Sequence, residues 1–226
     1  MKHSSFRFMA VFLIVMLSQT LLPAQQMTTL FKADKNNEWY IYLAKSGKNN
    51  DPHHVFQFEG NVLHVSGEDF GYITTEKKYA NFHFTVEFKW GVKKYPPREN
   101  EKRDAGVLYH ADFYSGDKVW PRSLEFQIQE GDCGDFYMTD STTIIHSDTL
   151  TTPVNTALQV IKSKDAEKSS GEWNKAEIIV QTGTITHLLN GQEVNRGRLG
   201  NTTKGCIVLQ SEGAEIYYRN MQIKEL

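Results

Sequence analysis

Apolar and polar residues alternate along several segments of this chain, and this alternation constrains its fold more than any other feature. In residues 82–90, which read FHFTVEFKW, every second side chain is apolar, and residues 124–129, which read LEFQIQ, follow the same rule. Successive side chains of a β-strand point to opposite faces of a sheet, so each segment predicts a strand with one apolar face. The apolar positions of these strands and of residues 206–210 predict the core between two sheets: Phe82, Phe84, Val86, Phe88, Phe126, Ile128, Ile207 and Leu209.

Turn signals separate further strands. Gln181-Thr182-Gly183 and Asn190-Gly191 each follow a short apolar-rich segment. Both are typical of β-hairpins, and Asn-Gly in particular tolerates the positive φ that tight hairpin turns need. A last strand is expected over residues 216–226, and no convincing amphipathic helix is apparent beyond the N-terminal segment. The chain is therefore predicted to be all-β, with residues 25–226 forming a single antiparallel β-sandwich domain.

Two stretches break the alternation. Residues 93–103 contain Pro96-Pro97, and residues 131–170 are poor in periodic segments. Connections of that length without regular structure often carry function. Both stretches are expected to be loops.

The N-terminal segment, residues 1–24, has the pattern of a secretory signal peptide. Lys2 and Arg7 precede an apolar run over residues 8–17, and the segment ends at Leu22-Pro23-Ala24. A membrane-spanning helix needs roughly 20 apolar residues, so the run is too short for a retained span. We expect an exported protein, periplasmic or extracellular, with no stable membrane insertion after cleavage.

Charge and cysteine content exclude some classes of partner and site. The 25 basic and 27 acidic residues leave a net charge of -2, and no stripe of Lys and Arg is present to neutralise phosphates, so nucleic acid is not an expected partner. Cys133 and Cys206 are the two cysteines, and their spacing does not indicate whether they pair. Neither belongs to a CxxC motif, which disfavours a structural zinc site.

The polar faces of the predicted strands carry candidate functional residues. Glu125 and Gln127 are two apart on one strand and project from the same face, and Gln210 and Glu212 form a second such pair. Carboxylates and amides bind sugar hydroxyls, while aromatic rings such as those of Trp120 and Trp173 stack on the apolar faces of pyranoses. This composition favours a sugar-binding trough. Its expected members are Glu125, Gln127, Gln210, Glu212, Trp120 and Trp173.

Asp104 and His110 bracket a short apolar segment, residues 105–109. Together with Glu125 they offer one nitrogen and two carboxylates, a set that a divalent metal ion accepts. Glu125 and Glu130 have a spacing similar to that of the paired glutamates of laminarinase-type retaining glycanases, but Gln127 stands where those enzymes carry an Asp. An amide cannot share a proton as an acid does, so that interpretation is disfavoured.

Eight ordered blocks of sequence make the chain resemble a known family. They include DAGVLY at 104–109, WPRSLEFQI at 120–128 and GCIVLQSEG at 205–213. The other five are residues 30–31, 72–75 with 79–82, 171–174, 189–191 and 218–223. In this order they resemble the 3-keto-disaccharide hydrolase family, over nearly all of residues 25–226. The resemblance implies a jelly-roll sandwich like that of concanavalin A-like lectins and glucanases, and an oligosaccharide or glycoside substrate already oxidised at C3 of a glucose-type ring.

The chemistry that the resemblance implies starts from the C3 ketone, which acidifies the hydrogen at C2. A base removes that hydrogen, and the enolate expels the glycosidic oxygen from C1, with or without later addition of water. Glu125 and His110 are the candidates for base or acid, and a divalent ion remains an option. The candidates for binding the substrate are Gln127, Gln210, Glu212, Arg219, Trp120, Trp173 and Asp104. A non-catalytic glycan-binding module needs the same trough without the base, and the sequence leaves both alternatives open.

Residues 1–24 are predicted to be absent from the exported protein, because a short apolar run behind two basic residues is processed and not retained. Intact-mass measurement of the exported protein checks this, and a mass that includes Met1 contradicts it.

Overall fold

The alternating segments form strands in the computed structural model, which describes residues 26–35, 37–151 and 157–226. The proposed signal peptide, residues 1–24, lies outside the described residues. Within them the chain forms eighteen strands and no helix. The strands are β1 (Thr28–Thr29), β2 (Trp39–Leu43), β3 (Gly47–Lys48), β4 (Phe56–Glu59), β5 (Val62–Val65), β6 (Gly71–Thr75), β7 (Phe82–Lys94), β8 (Asp104–Asp112), β9 (Arg122–Gln129), β10 (Phe136–Thr139), β11 (Ile144–His146), β12 (Thr149–Thr151), β13 (Ala157–Val160), β14 (Asn174–Gln181), β15 (Thr184–Leu189), β16 (Gln192–Leu199), β17 (Cys206–Ser211) and β18 (Ala214–Glu225).

The strands are arranged in two antiparallel sheets. The ten-stranded sheet has the order β12-β11-β16-β15-β14-β7-β18-β5-β4, and β1 pairs with β18. The eight-stranded sheet has the order β13-β10-β9-β8-β17-β6-β2-β3. Most neighbours in each sheet are distant in sequence, as in β7 beside β18 and β8 beside β17. The predicted all-β antiparallel sandwich is confirmed. In the part of the chain that the structure describes, no helix is long and apolar enough to cross a membrane.

The apolar faces of the two sheets pack against each other to form the main core. All eight of the residues predicted to lie there are fully buried and belong to one continuous cluster. Phe84 comes from β7 of the ten-stranded sheet, and Phe126 comes from β9 of the eight-stranded sheet. The period of two therefore identified both the strands and the faces that pack together.

One polar pair crosses this core. The Tyr109 hydroxyl on β8 lies 3.0 Å from Nε2 of His187 on β15, and Nδ1 of His187 lies 3.1 Å from the carbonyl oxygen of Gly134. These partners assign a neutral imidazole that donates from Nδ1 and accepts at Nε2. Burial lowers the pKa of His187 to about 3, so the ring stays neutral and joins the two sheets.

The two predicted hairpin turns are confirmed. Thr182 and Gly183 connect β14 to β15 with φ of 48° and 82°, and Asn190 and Gly191 connect β15 to β16 with φ of 53° and 78°. Positive φ at both central residues matches the right-handed twist of the flanking strands.

The prediction that residues 131–170 form a loop is wrong. Within the described residues of this stretch, β10 and β13 extend one edge of the eight-stranded sheet, and β11 and β12 extend one edge of the ten-stranded sheet. Each strand has only three or four residues, which is too short for alternation to be visible in the sequence. The loop predicted over residues 93–103 begins two residues later, because Lys93 and Lys94 belong to β7, and residues 95–103 connect β7 to β8 without strand structure. Cys133 and Cys206 are both buried free thiols.

Replacing Phe126 with Ala is expected to lower the free energy of unfolding by about 3 to 5 kcal/mol, because it leaves a cavity between the sheets. Urea denaturation measures the change. Val92→Ala on β7 is the control, since the Val92 side chain is largely exposed and its loss should change stability by less than about 0.5 kcal/mol. Equal effects of the two substitutions would contradict the assigned core.

Candidate functional site

A pocket of about 1010 Å³ opens on the outer face of the eight-stranded sheet. Its floor comes from β8, β9 and β17, and its walls come from β10 and from the segments that precede β8 and β9. This volume lies at the upper end of the range for small-molecule sites. The lining residues are Arg98, Glu101, Asp104, Lys118, Trp120, Glu125, Gln127, Gln129, Tyr137, Thr139, Asp140, Ser141, Gln210 and Glu212.

The alternation of β9 directs its polar residues into the pocket. Leu124 and Phe126 face the core, so Glu125 and Gln127 project from the opposite face. Polar residues on an outer face are usually solvated, yet Glu125 and Gln127 are each only 5% exposed. The walls of the pocket shield them from solvent.

Gly106 makes room for two of the functional groups. β8 lies between β9 and β17, and Gly106 is the residue of β8 that separates Glu125 from Gln210. A Cβ atom at residue 106 would lie 1.9 Å from Oε1 of Glu125 and 2.3 Å from Oε1 of Gln210. Any side chain there would displace both groups, so the glycine allows the carboxyl and the amide to approach each other above the sheet.

Asp104, at the start of β8, is held in place by two partners. Arg98 forms an ion pair with its carboxylate, and Nε2 of Gln129 donates to Oδ2 at 2.8 Å. Its other oxygen, Oδ1, is buried and has no hydrogen-bond partner within the described part of the chain, and the same is true of Oε1 of Gln210. Buried acceptors without donors are costly. They lie beside the pocket, where water or a ligand with hydrogen-bond donors can reach them.

Glu212 lies just beyond β17 and binds the indole of Trp120. Nε1–H of Trp120 donates to Oε1 of Glu212 at 2.7 Å, and the ring meets Phe70 edge-on with 6.2 Å between centroids. Trp120 is 47% exposed. Its partly exposed ring at the pocket wall offers an apolar surface of the kind on which a pyranose stacks.

The electrostatic environment favours protonation of the buried carboxyls. Burial raises the pKa of Glu125 well above its usual range, and the charges of Glu212 and Asp104 raise it further, while Arg98 lowers it. Burial, followed by the charge of Asp104, raises the pKa of Glu212 to about 7, against the opposing effects of Trp120 and Arg98. Burial also raises the pKa of Asp104, opposed by Arg98 and Gln129. The pocket therefore holds carboxyls suited to proton transfer near neutral pH.

The structure brings together six of the nine side chains that the sequence put forward as site residues. They are Asp104, Trp120, Glu125, Gln127, Gln210 and Glu212. The remaining three, His110, Trp173 and Arg219, do not line this pocket.

His110 lies outside the pocket, contrary to its predicted role as base or acid. Its side chain is fully buried, with Nε2 3.0 Å from the carbonyl oxygen of Ala80 and Nδ1 3.2 Å from Oγ1 of Thr202. A break in the register of β8 falls between Tyr109 and Asp112, and His110 within it has a φ of 49°. This irregularity removes His110 from the face that carries the pocket, and burial lowers its pKa.

The predicted metal ligand set of His110, Asp104 and Glu125 is consequently not assembled. Across residues 26–35, 37–151 and 157–226, no group of three His, Cys, Asp or Glu side chains is placed to hold a metal ion.

Arg219 and Trp173 also lie outside the pocket, contrary to their predicted role in binding the substrate. Arg219 belongs to β18 of the other sheet, where Nε donates to Oε2 of Glu87 at 2.7 Å and the guanidinium stacks on the Trp173 ring at 3.9 Å. Alternation in the sequence shows that a side chain points away from the core, but it does not show which of the two sheets carries that side chain.

Several lining residues were missed by sequence reasoning. Gln129 continues the spacing of Glu125 and Gln127 and was detectable from that pattern, and Arg98 lies in the Pro-rich segment that breaks the alternation. Tyr137 reaches the pocket because β10 pairs with β9 in a register that sets it opposite Glu125, which no local signal reveals. The remaining missed lining residues are Glu101, Lys118, Thr139, Asp140 and Ser141.

Glu130 does not pair with Glu125 in the pocket. Its carboxylate accepts from the Arg103 guanidinium at 2.7 Å and from the Arg103 backbone N–H at 3.0 Å. The two-glutamate arrangement of a retaining glycanase is therefore not formed by these residues, as the Gln at 127 indicated.

The profile of one protein family matches residues 26–224 of this chain, and that family is the 3-keto-alpha-glucoside-1,2-lyase-like domain. The match spans both sheets and every strand that contributes to the pocket. Among curated proteins, no match to the sequence was found.

Solved structures share the architecture. A glycosyl hydrolase candidate from Parabacteroides distasonis has a TM-score of 0.60 and 20% identity, covering 89% of this chain and 100% of that one. Carbohydrate binding module CBM66 from Bacillus subtilis has a TM-score of 0.57 and 9% identity, covering 83% and 96%. LamAcat from Zobellia galactanivorans has a TM-score of 0.54 and 10% identity, covering 84% and 92%. At these identities the likeness concerns the fold, and it confirms the predicted jelly-roll sandwich.

Replacing Glu125 with Gln is expected to stabilise the folded protein at alkaline pH. The pKa of Glu125 is raised on folding, so the stability that this group contributes in its protonated form is lost as the pH rises through that pKa. Gln is neutral at every pH and has nearly the same shape. The melting temperature of the variant should exceed that of the wild type by at least about 2 °C at pH 8, and the difference should vanish near pH 4.

Glu130→Gln is the matched control, because it removes a carboxylate from the same end of the sheet but breaks the ion pair with Arg103. It should not stabilise the protein at pH 8. A melting-temperature difference for Glu125→Gln that is independent of pH would contradict the raised pKa.

Proposed function

Because the chain belongs to the 3-keto-alpha-glucoside-1,2-lyase-like domain family, we propose that it cleaves glycosides whose glucose-type ring carries a ketone at C3. Family membership indicates a glycosyl hydrolase-like, carbohydrate-active protein. One observation supports cleavage of the glycoside. Three buried carboxyl groups, those of Asp104, Glu125 and Glu212, share one pocket with buried amides and a partly exposed indole. A pocket that only binds sugar needs no cluster of carboxyls with raised pKa.

The reaction is an elimination that the C3 ketone makes accessible. A base takes the proton from C2, and the electron pair of the C2–H bond forms the enolate with C3. When the enolate collapses, a double bond forms between C1 and C2, the C1–O bond breaks, and the departing oxygen takes a proton from an acid. Addition of water across the double bond then gives net hydrolysis.

Glu212 and Glu125 suit the roles of base and acid. Glu212, with a pKa of about 7, is substantially ionised at neutral pH, and the indole N–H of Trp120 stabilises its anion. Burial holds the pKa of Glu125 well above its usual range, which keeps its proton available for the leaving oxygen. Within the described residues burial and neighbouring charges act on the Glu125 carboxyl, with no side-chain hydrogen bond among its partners, and the carboxyl lines the pocket where substrate can contact it.

Gln127 and Arg98 supply donors where the enolate develops charge. The backbone N–H of Ile128 donates to Oε1 of Gln127 at 3.1 Å, and this assigns the amide so that its Nε2 hydrogens face the pocket. Arg98 also lines the pocket and carries a positive charge beside Asp104. Donors fixed before the reaction stabilise an oxyanion without reorganisation.

We also propose that the protein acts outside the cytoplasm, in the periplasm or the extracellular space. The sequence of residues 1–24 supports this, with two basic residues, an apolar run and a small residue at the end.

Glu125→Gln is expected to lower the turnover of a 3-keto-glucoside by about 10² to 10⁴, because the amide cannot give a proton to the leaving group. Release of aglycone from the 3-keto-glucoside and from its unoxidised parent is measured for the wild type and the variant. Only the oxidised substrate should be cleaved.

Glu130→Gln controls for loss of a carboxylate outside the pocket and should keep turnover near the wild-type value. Equal cleavage of the two substrates, or full turnover by Glu125→Gln, would contradict the proposal. Wild-type protein that binds the 3-keto-glucoside but never cleaves it would favour the glycan-binding module instead.

A further inference from the structure

The segment between β8 and β9, residues 113–121, borders the pocket and is called the strap here. It carries two lining residues, Lys118 and Trp120. We propose that Asp117 is a positioning residue for the substrate: it fixes the strap on the hydroxyls of Tyr40 and Tyr72 and thereby sets the position of the Trp120 ring. The inference rests on the proposed function, but its physical part is testable without substrate.

Two tyrosine hydroxyls converge on one oxygen of Asp117. The hydroxyl of Tyr40 donates to Oδ1 at 2.7 Å, and the hydroxyl of Tyr72 donates to the same atom at 2.8 Å. Tyr40 comes from β2 and Tyr72 from β6, so residues distant in sequence hold the strap. Hydrogen bonds to an ionised carboxylate are stronger than those between neutral groups.

The tyrosines are a rigid support because their rings are buried. They belong to a second apolar cluster that also contains Leu108 and Val208 and lies on the outer face of the eight-stranded sheet. Phe113, the first residue of the strap, packs on Tyr40 and Tyr72 with centroid distances of 6.1 and 5.5 Å. Burial raises the pKa of both tyrosines, so their hydroxyls stay protonated and keep donating.

Asp117 lies close in sequence to the pocket residues of the strap. Lys118 follows it directly and binds Asp140 at 2.7 Å, and Trp120, three residues on, binds Glu212 at 2.7 Å. Between Phe113 and Asp117 the chain is exposed, with Tyr114 68% exposed and Gly116 at a φ of 84°. The hydroxyl pair thus supports the strap outside the pocket, and three residues of chain separate it from the Trp120 ring.

Loss of this support should affect binding more than chemistry. Glu125 and Gln127 lie on β9, and Glu212 directly follows β17, so none of them depends on the strap for its backbone position. The Trp120 ring and the Lys118 ammonium do depend on it. A mobile strap must be ordered again each time a sugar stacks on the ring, and that cost appears in KM.

Asp117→Ala is the first test. The KM for a 3-keto-glucoside should rise about tenfold, while kcat should fall by a smaller factor, because Glu212 keeps its backbone position but loses part of its hydrogen bond with the displaced Trp120 ring. Asp117→Asn keeps an acceptor oxygen for both hydroxyls and should restore most of the lost affinity. Asp112→Ala, at the last residue of β8 directly before the strap, removes a partly exposed ion pair with Lys78 and should leave KM unchanged. An unchanged KM in Asp117→Ala, or an equal rise in Asp112→Ala, would overturn the proposal.

Acrylamide quenching of tryptophan fluorescence tests the position of the ring without substrate. Asp117→Ala should increase quenching relative to the wild type, and the increase should disappear when Trp120 is also replaced by Phe. If Asp117→Ala does not fold, the double variant Tyr40→Phe/Tyr72→Phe, which removes only the two hydroxyls, takes its place in both assays. If no glycoside is turned over, the proposed function fails, and the quenching assay alone tests whether Asp117 positions the Trp120 ring. Equal quenching in the wild type and in the variant that lacks the Asp117 contact overturns that proposal.

Discussion

Glu125, Glu212 and Asp104 bring three carboxyl groups into one pocket, and each of these three residues is only 5% exposed. Burying like charges together is unfavourable, and the protein meets the cost by retaining protons and by placing Arg98 beside the cluster. The arrangement also needs space, which Gly106 provides by having no side chain. Such a cluster reduces stability at high pH, and it persists only where the surrounding structure is rigid enough to hold it.

The sandwich supplies that rigidity. The floor of the pocket is formed by three adjacent strands whose opposite faces are packed into the main core, so a shift of Glu125 would require a shift of Leu124 or Phe126. The hydrogen bond between Tyr109 and His187 connects β8, on the floor of the pocket, to the ten-stranded sheet. A separate cluster around Tyr40 and Tyr72 supports the strap at the rim.

Much of the fold could be predicted because alternation is a local signal. It located β7, β9 and β17 and identified core residues on each of them, and the C-terminal strand β18 was also expected. The short strands β10 to β13 gave no such signal. The site was partly predictable for the same reason: Glu125 and Gln127 share a strand face. His110 was misplaced because a break in register interrupts the alternation, and Arg219 was misplaced because the order of strands in two sheets is set by contacts distant in sequence.

We propose that this pocket removes a proton from C2 of a sugar that carries a ketone at C3. A 3-keto-glucoside with deuterium at C2 tests it most directly, with the label followed by NMR or mass spectrometry during turnover in ordinary water. We expect the C2 deuterium to be lost to solvent as the glycosidic bond breaks. When removal of this deuterium limits the rate, a primary isotope effect should slow the cleavage. Cleavage that releases a sugar with its C2 deuterium fully retained would contradict it.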